Sequence, residues 1–182
     1  MKIALEDILK LIDEMDKRQQ RLFASDCAEH VLPYFEKVYP NDFRPRTTIE
    51  VVRRFANGLA SQEELQASAG EAEGAAWDAA LDETPQKGLT PFEIEASASS
   101  AATAETTAWA TQEGGDREAA KFTVKCALEV VVIAKVGSII ADQIWVAGYD
   151  GIQADLAAAF EQAENAEKAW QLMKAREYLA GL

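Results

Sequence analysis

Apolar positions along the chain recur mainly at three- and four-residue intervals, the period of a helix with one buried face. Ile3, Leu5, Ile8, Leu9, Ile12 and Met15 predict a first amphipathic helix over Ile3 to Asp16. Leu22, Phe23, Cys27, Val31, Leu32, Phe35 and Val38 predict a second over about Arg18 to Val38. Pro33 lies inside that stripe; proline lacks a backbone donor, so a kink or restart is expected near Val31. Two prolines and an Asn-Asp pair make Tyr39 to Pro45 a turn. A third helix should start at Arg46 or Thr47, bury Ile49, Val52, Phe55 and Ala56, and run to Asn57, with Gly58 as its stop.

Ser61 and Glu64 have the spacing of a capping box and open a fourth helix reaching about Leu81. Its expected buried stripe is Leu65, Ala69, Ala72, Ala76 and Ala80; Gly70 and Gly74 weaken it or admit a close neighbour. Asp82 to Leu89, with Pro85 and Gly88, reads as a loop. Thr90-Pro91-Phe92-Glu93 combines a capping box with proline at the first helical position, so a fifth helix should run to about Gln112. Its interior holds almost only small residues, which implies close but shallow packing. Gly114-Gly115 should end it, and Asp116 should cap a sixth helix.

That sixth element is apolar on most sides (Phe122, Val124, Leu128, Val130 to Ile133, Val136, Ile139, Ile140, Ile144), which predicts the centre of a bundle. Val130 to Ile133 alone could be a strand, but the pattern extends well beyond strand length without turn signals. Gly137 is a candidate kink. Gly148 and Gly151 mark a turn, and a last helix from Ile152 should bury Ile152, Leu156, Ala159, Phe160, Ala163, Ala166, Trp170, Met173 and Tyr178. No repeat and no dividing linker is visible, so residues 1–182 read as one all-α domain, a single compact multi-helix bundle of about seven helices.

Composition agrees: 34 of 182 residues are alanine, the strongest helix former. Charge narrows the partners. With 31 Asp+Glu against 18 Lys+Arg the net charge is -13, which argues against nucleic acid and against an anionic membrane surface, and favours a basic protein. The most apolar stretch, Phe122 to Ala147, is broken by Lys125, Glu129, Lys135 and Asp142 and does not read as a membrane span. The acid-studded N-terminal stretch does not read as a signal peptide, and the distant Cys27 and Cys126 fit free buried thiols. A cytoplasmic setting is therefore expected.

Catalytic equipment is sparse. With His30 the sole histidine, a His-based zinc site is excluded, and no Walker A loop, GxGxxG turn or GxSxG elbow occurs. Cys27 and His30 are three apart in one helix beside an apolar stripe, and a Cys–His nucleophile is not favoured. Asp26 and His30, four apart, share a helical face, and His30 is expected to donate to Asp26 or to a backbone carbonyl. Arg44, Arg46, Arg53 and Arg54 cluster within eleven residues. They could pair with Asp26, Glu29 and Glu36 or hold an anionic ligand. Trp77, Trp109, Trp145 and Trp170 read as core or interface anchors, and Glu161, Glu164 and Glu167 as a solvated face.

The segment Arg21 to Gly58 resembles the N-terminal signature of a bacterial immunity-protein family, the immunity-protein-five-like group. The resemblance rests on Asp26-Cys27-Ala28-Glu29-His30-Val31-Leu32-Pro33, then on Arg44-Pro45-Arg46 with Ile49, Glu50, Arg53, Phe55, Ala56 and Gly58. It implies a toxin antagonist and covers about a fifth of the chain.

The expected function is a non-catalytic binding protein that neutralises a toxic protein effector. The alternative is a helical binder that sequesters a small anionic or nucleotide-like ligand. Candidate binding residues are Asp26, Glu29, His30, Arg44, Arg46 and Arg53, with no catalytic group, metal or cofactor. An enzyme is disfavoured, because a carboxylate metal site has no ExxH or DxD motif behind it. A homo-oligomer, most simply a dimer, is expected from the small-residue helices and the tryptophans.

Overall fold

The computed structural model describes the backbone of residues 3–82, 90–108, 115–143 and 149–181, and these form seven helices with no strand among the described residues. They are α1 (Leu5–Glu14), α2 (Lys17–Val38), α3 (Arg44–Ala56), α4 (Gln62–Leu81), α5 (Pro91–Ala108), α6 (Gly115–Gln143) and α7 (Tyr149–Ala180). The Val130 to Ile133 run is helical. The expected loop over 83–89, the fifth helix beyond Ala108, the Gly114 and Gly148 turns, and Trp109 and Trp145 lie outside the described residues, as do the side chains at 136 and 138–155.

Local chemistry sets most boundaries. Asp16 and Gln19 form a reciprocal capping box at the start of α2, with Asp16 Oδ1 accepting from the Gln19 amide at 2.7 Å. Buried Gln20 donates to the Ile12 and Met15 carbonyls and so closes the end of α1. Thr90 and Glu93 form the expected box on α5. Ser61 caps α4 through the Glu64 amide, while the Glu64 carboxylate turns to Arg54. Gly58 takes φ +71° after α3, a conformation that a side chain resists.

Four expectations are corrected. Helix α2 runs unbroken through Pro33, because Val31, Leu32 and Phe35 are buried on both sides of it and Pro33 itself is exposed. Helix α3 starts at Arg44; Pro45 sits in the first turn, where its missing donor costs nothing. Asp116 lies inside α6, and its buried carboxylate receives Arg21 Nε at 2.5 Å. The buried stripe of α4 is Leu65, Ser68, Ala72, Ala75 and Ala79, with Ala80 exposed. Alanines occupy both faces of that helix, so the pattern cannot set its rotation. The Thr48 hydroxyl, bonded across α3 and α4 to the Ser68 carbonyl at 2.6 Å, contributes to setting it.

Helix α6 packs against α1, α2, α5 and α7 as a central element, and α2 and α5 share the centre with it. Helix α2 is buried on two sides: Phe23, Cys27 and Val31 join one core with α1, α6 and α7, while Ala28, Leu32 and Phe35 join a second with α3, α4 and α5. Small-residue α5 packs against α2, α3, α4 and α6 and buries Ala96, Ser97, Ser100, Ala101, Thr103 and Ala104. Its hydroxyls are satisfied: Ser100 donates to the Val31 carbonyl at 2.8 Å, and Thr106 bonds Thr123 at 2.9 Å. Small side chains thus make α5 a shared contact for four neighbours, while α6 leaves Phe122 47% exposed. Helix α6 continues without interruption through Gly137. That residue is the contact point with α5, and a Cβ there would stand 2.1 Å from Phe92 Cβ.

Candidate functional site

The α2–α3 corner gathers most of the residues singled out in the sequence. Arg53 sends one guanidinium nitrogen to Asp26 at 2.7 Å and to Glu29 at 2.6 Å. Arg46 forms a two-pronged pair with Glu36 at 2.6 and 2.8 Å and lies 3.7 Å from Glu29. Arg44 clamps Asp42 on its own turn and reaches Asp78 on α4 at 2.7 Å. Its guanidinium passes over Gly74, where a Cβ would meet it at 3.2 Å. Arg54 pairs with Glu64.

Each of these four arginines therefore faces carboxylates of its own chain. The electrostatics follow the geometry. The hydrogen bond from Arg53 holds the Glu29 carboxyl below its ordinary range, and that from Arg44 does the same for Asp42. Burial works to lower the Arg53 pKa, but the bonds to Glu29 and Asp26 outweigh it and raise the net value.

Asp26 and His30 part company despite sharing a helical face. The second Asp26 oxygen accepts from the Tyr178 hydroxyl of α7 at 2.8 Å. His30 Nε2 instead lies 3.1 Å from Glu167, and its ring stacks on Trp170 with centroids 3.8 Å apart. Glu167, expected on a solvated face, is 3% exposed and also accepts from Gln171 at 3.0 Å. The buried face of α7 thus carries Glu167, Lys168 and Gln171 beside Ala159, Ala163 and Ala175. Phe160, Ala166 and Met173, expected inside, are exposed. Polar residues occupy that face because α2 and α6 offer polar partners there: His30, and the Val124 carbonyl to Gln171. Cys27 lies buried below, its thiol pushed well up by burial and then by the Glu167 and Asp26 charges. Cys27 and Cys126 are free thiols.

A different surface emerges on α4 and α5, where the sequence reading placed no candidate. Twelve of the 31 acids and one of the 18 Lys+Arg lie between Phe55 and Asp116. Helices α4 and α5 themselves contain no Lys, Arg or His. Between them runs an open groove of about 420 Å³, lined by Ala76, Ala80, Ala98 and Ala102 together with Glu73 and Glu105. Trp77 stands at its edge, 60% exposed, so this tryptophan is not a core anchor. The sequence signals were available: a large apolar pair, Trp77 and Leu81, off the buried stripe, and an acid-rich stretch with a single base.

Among the described residues no group of three or more His, Cys, Asp and Glu could hold a metal, and no helix is long and apolar enough to cross a membrane. Fold and site together define an all-helical bundle with an internally ion-paired corner and an acidic, small-residue face. Residues 10–112, spanning the second half of α1 and all of α2 to α5, match the family model of the "Imm-5 like putative immunity protein", and the chain belongs to that family. No curated protein and no solved structure matches the chain.

Proposed function

We propose that this protein is a non-catalytic inhibitor that protects its cell by binding and neutralising a toxic effector protein. The observation that carries this reading is the family match over residues 10–112. The charge supports it: the chain carries 31 Asp+Glu against 18 Lys+Arg, a net charge of -13, which suits a basic target. The alternative, sequestration of a small anion through Arg44, Arg46 and Arg53, needs guanidinium groups turned to open space. Each of them is matched to at least two carboxylates of the same chain, so their charge is already balanced. Their role in this reading is to lock α2, α3 and α4 into one frame.

The test is rescue combined with complex formation. Toxic polypeptides of the host are produced singly, with and without this protein, and growth is followed. Expected is rescue from at least one toxin, and a stable complex of the purified pair on size-exclusion chromatography. Rescue without a complex would mean that the toxin is disarmed by chemistry and not by binding, and the proposal would fall.

A further inference from the structure

We infer that the groove between α4 and α5 is the surface on which the toxin docks, and that it receives a basic segment whose arginine or lysine lies against Trp77. The inference rests on the toxin-neutralising reading and adds to it the place and the chemistry of contact.

Three observations converge on this surface. The first is an aromatic anchor without burial. Trp77 and Leu81 stand one helical turn apart on α4 and are 60% and 71% exposed, while Trp170 is stacked on His30. Tryptophan is the residue that most often dominates a protein interface, and its ring face attracts a cation. The second is shape. Ala76, Ala80, Ala98 and Ala102 leave a hollow of about 420 Å³ beside that ring, room for side chains of a partner. The third is charge. Glu73 and Glu105 line the hollow, Glu95 is exposed on α5 one turn before Ala98 and Ser99, and neither helix has a cation.

The platform is also held in place. Glu64 and Asp78, on the α3-facing side of α4, are engaged by Arg54 and Arg44. The groove wall therefore does not need to be ordered when the partner arrives, which lowers the cost of binding.

Charge complementarity selects the occupant. A second copy of this chain would bring Glu73 and Glu105 against their own equivalents. A phosphate-bearing surface would meet carboxylates and no cation. A cationic protein segment gains on both counts, an ammonium or guanidinium on the indole ring and its charge near the lining carboxylates.

The experiment uses the full-length protein and two probes, a display library of short random peptides and the toxin identified by rescue. Selected peptides are expected to be enriched in Arg or Lys next to an apolar residue. Trp77→Ala and the pair Glu73→Lys with Glu105→Lys should each weaken peptide and toxin binding by about tenfold or more. Trp77→Phe should retain part of the affinity. Glu6→Lys on α1, exposed and on a helix that packs against α6 and α7, controls for charge reversal and should change affinity by no more than about twofold. Circular dichroism checks that each variant is folded. Toxin binding unchanged by Trp77→Ala would overturn the groove and leave the toxin-neutralising reading standing. Cationic peptides bound through Trp77, with no toxin rescued, would keep the groove and sink that reading. A dimer that dissociates in Trp77→Ala would assign the groove to a second copy and overturn the inference.

Discussion

Arg53 shows how one side chain ties several parts of the structure together. It is 30% exposed and serves two carboxylates on α2, while Tyr178 of α7 bonds the second oxygen of Asp26. Arg53→Ala strips Glu29 and Asp26 of their shared donor and should destabilise the protein by about 1–3 kcal/mol, read from urea unfolding. Arg53→Lys should recover only a minor part, since a single ammonium cannot reproduce the guanidinium fork. The same contact gives stability a pH dependence. Glu29 has its folded pKa depressed below the ordinary 4.5, so its contribution is present above pH 4.5 and is lost as pH falls through the depressed value. Glu29→Gln should therefore flatten the acid limb of the stability curve below pH 4.5, with a loss at neutral pH under about 1 kcal/mol because the group is partly exposed. The sequence made Asp26, Glu29, Glu36 and the arginines visible as possible partners. It left open which would meet, because Arg46 and Arg53 are separated by two helical turns and only the α2–α3 crossing sends them to Glu36 and to Asp26.

Two helices carry features whose meaning changes once neighbours are present. Pro33 sits in an uninterrupted α2, so the Glu29 carbonyl lacks its usual helical donor. Pro33→Ala should restore that donor at an exposed position and raise stability by about 1–2 kcal/mol, net of the entropy that proline removes from the unfolded chain. An unchanged or lower melting temperature would contradict the account of α2 given above. Gly137 offers the opposite case. As a flexible kink it would tolerate alanine, with a gain of about 1 kcal/mol. As the contact point for Phe92, with a Cβ only 2.1 Å away, Gly137→Ala should overpack α5 against α6 and cost about 1–3 kcal/mol in thermal unfolding. The starts of α4 and α5 were legible because the caps Ser61 and Thr90 act locally. The facing of α4 and α7 was not: in α4 alanine occurs on every side, and in α7 the buried positions are Glu167, Lys168 and Gln171.

Across the molecule, charge is unevenly shared. The stretch from Phe55 to Asp116 holds twelve acids and one base, and Glu64, Asp78, Glu93 and Asp116 among these acids pair with Arg54, Arg44, Lys37 and Arg21. Such a distribution acts mainly on encounter. The association rate with the toxin should fall steeply as salt rises through the physiological range, while dissociation changes little, as biolayer interferometry over a salt series would show. An association rate insensitive to salt would remove steering by the α4–α5 face from the account.

Helix number, most boundaries and the acidic character follow from patterns that each segment carries within itself, since capping, proline geometry and formal charge depend on near neighbours in the chain. The family signature of Arg21 to Gly58 is of the same kind. Folding in three dimensions settled what depends on residues distant in the chain. It placed small-residue α5 at the centre beside α2 and α6, because small side chains let four helices approach at once. It drew Glu167 inside, because His30 and Gln171 wait there to satisfy it. And it left Trp77 outside, because the contact with α3 and α5 rotates α4 so that its alanines, and not its tryptophan, face the core.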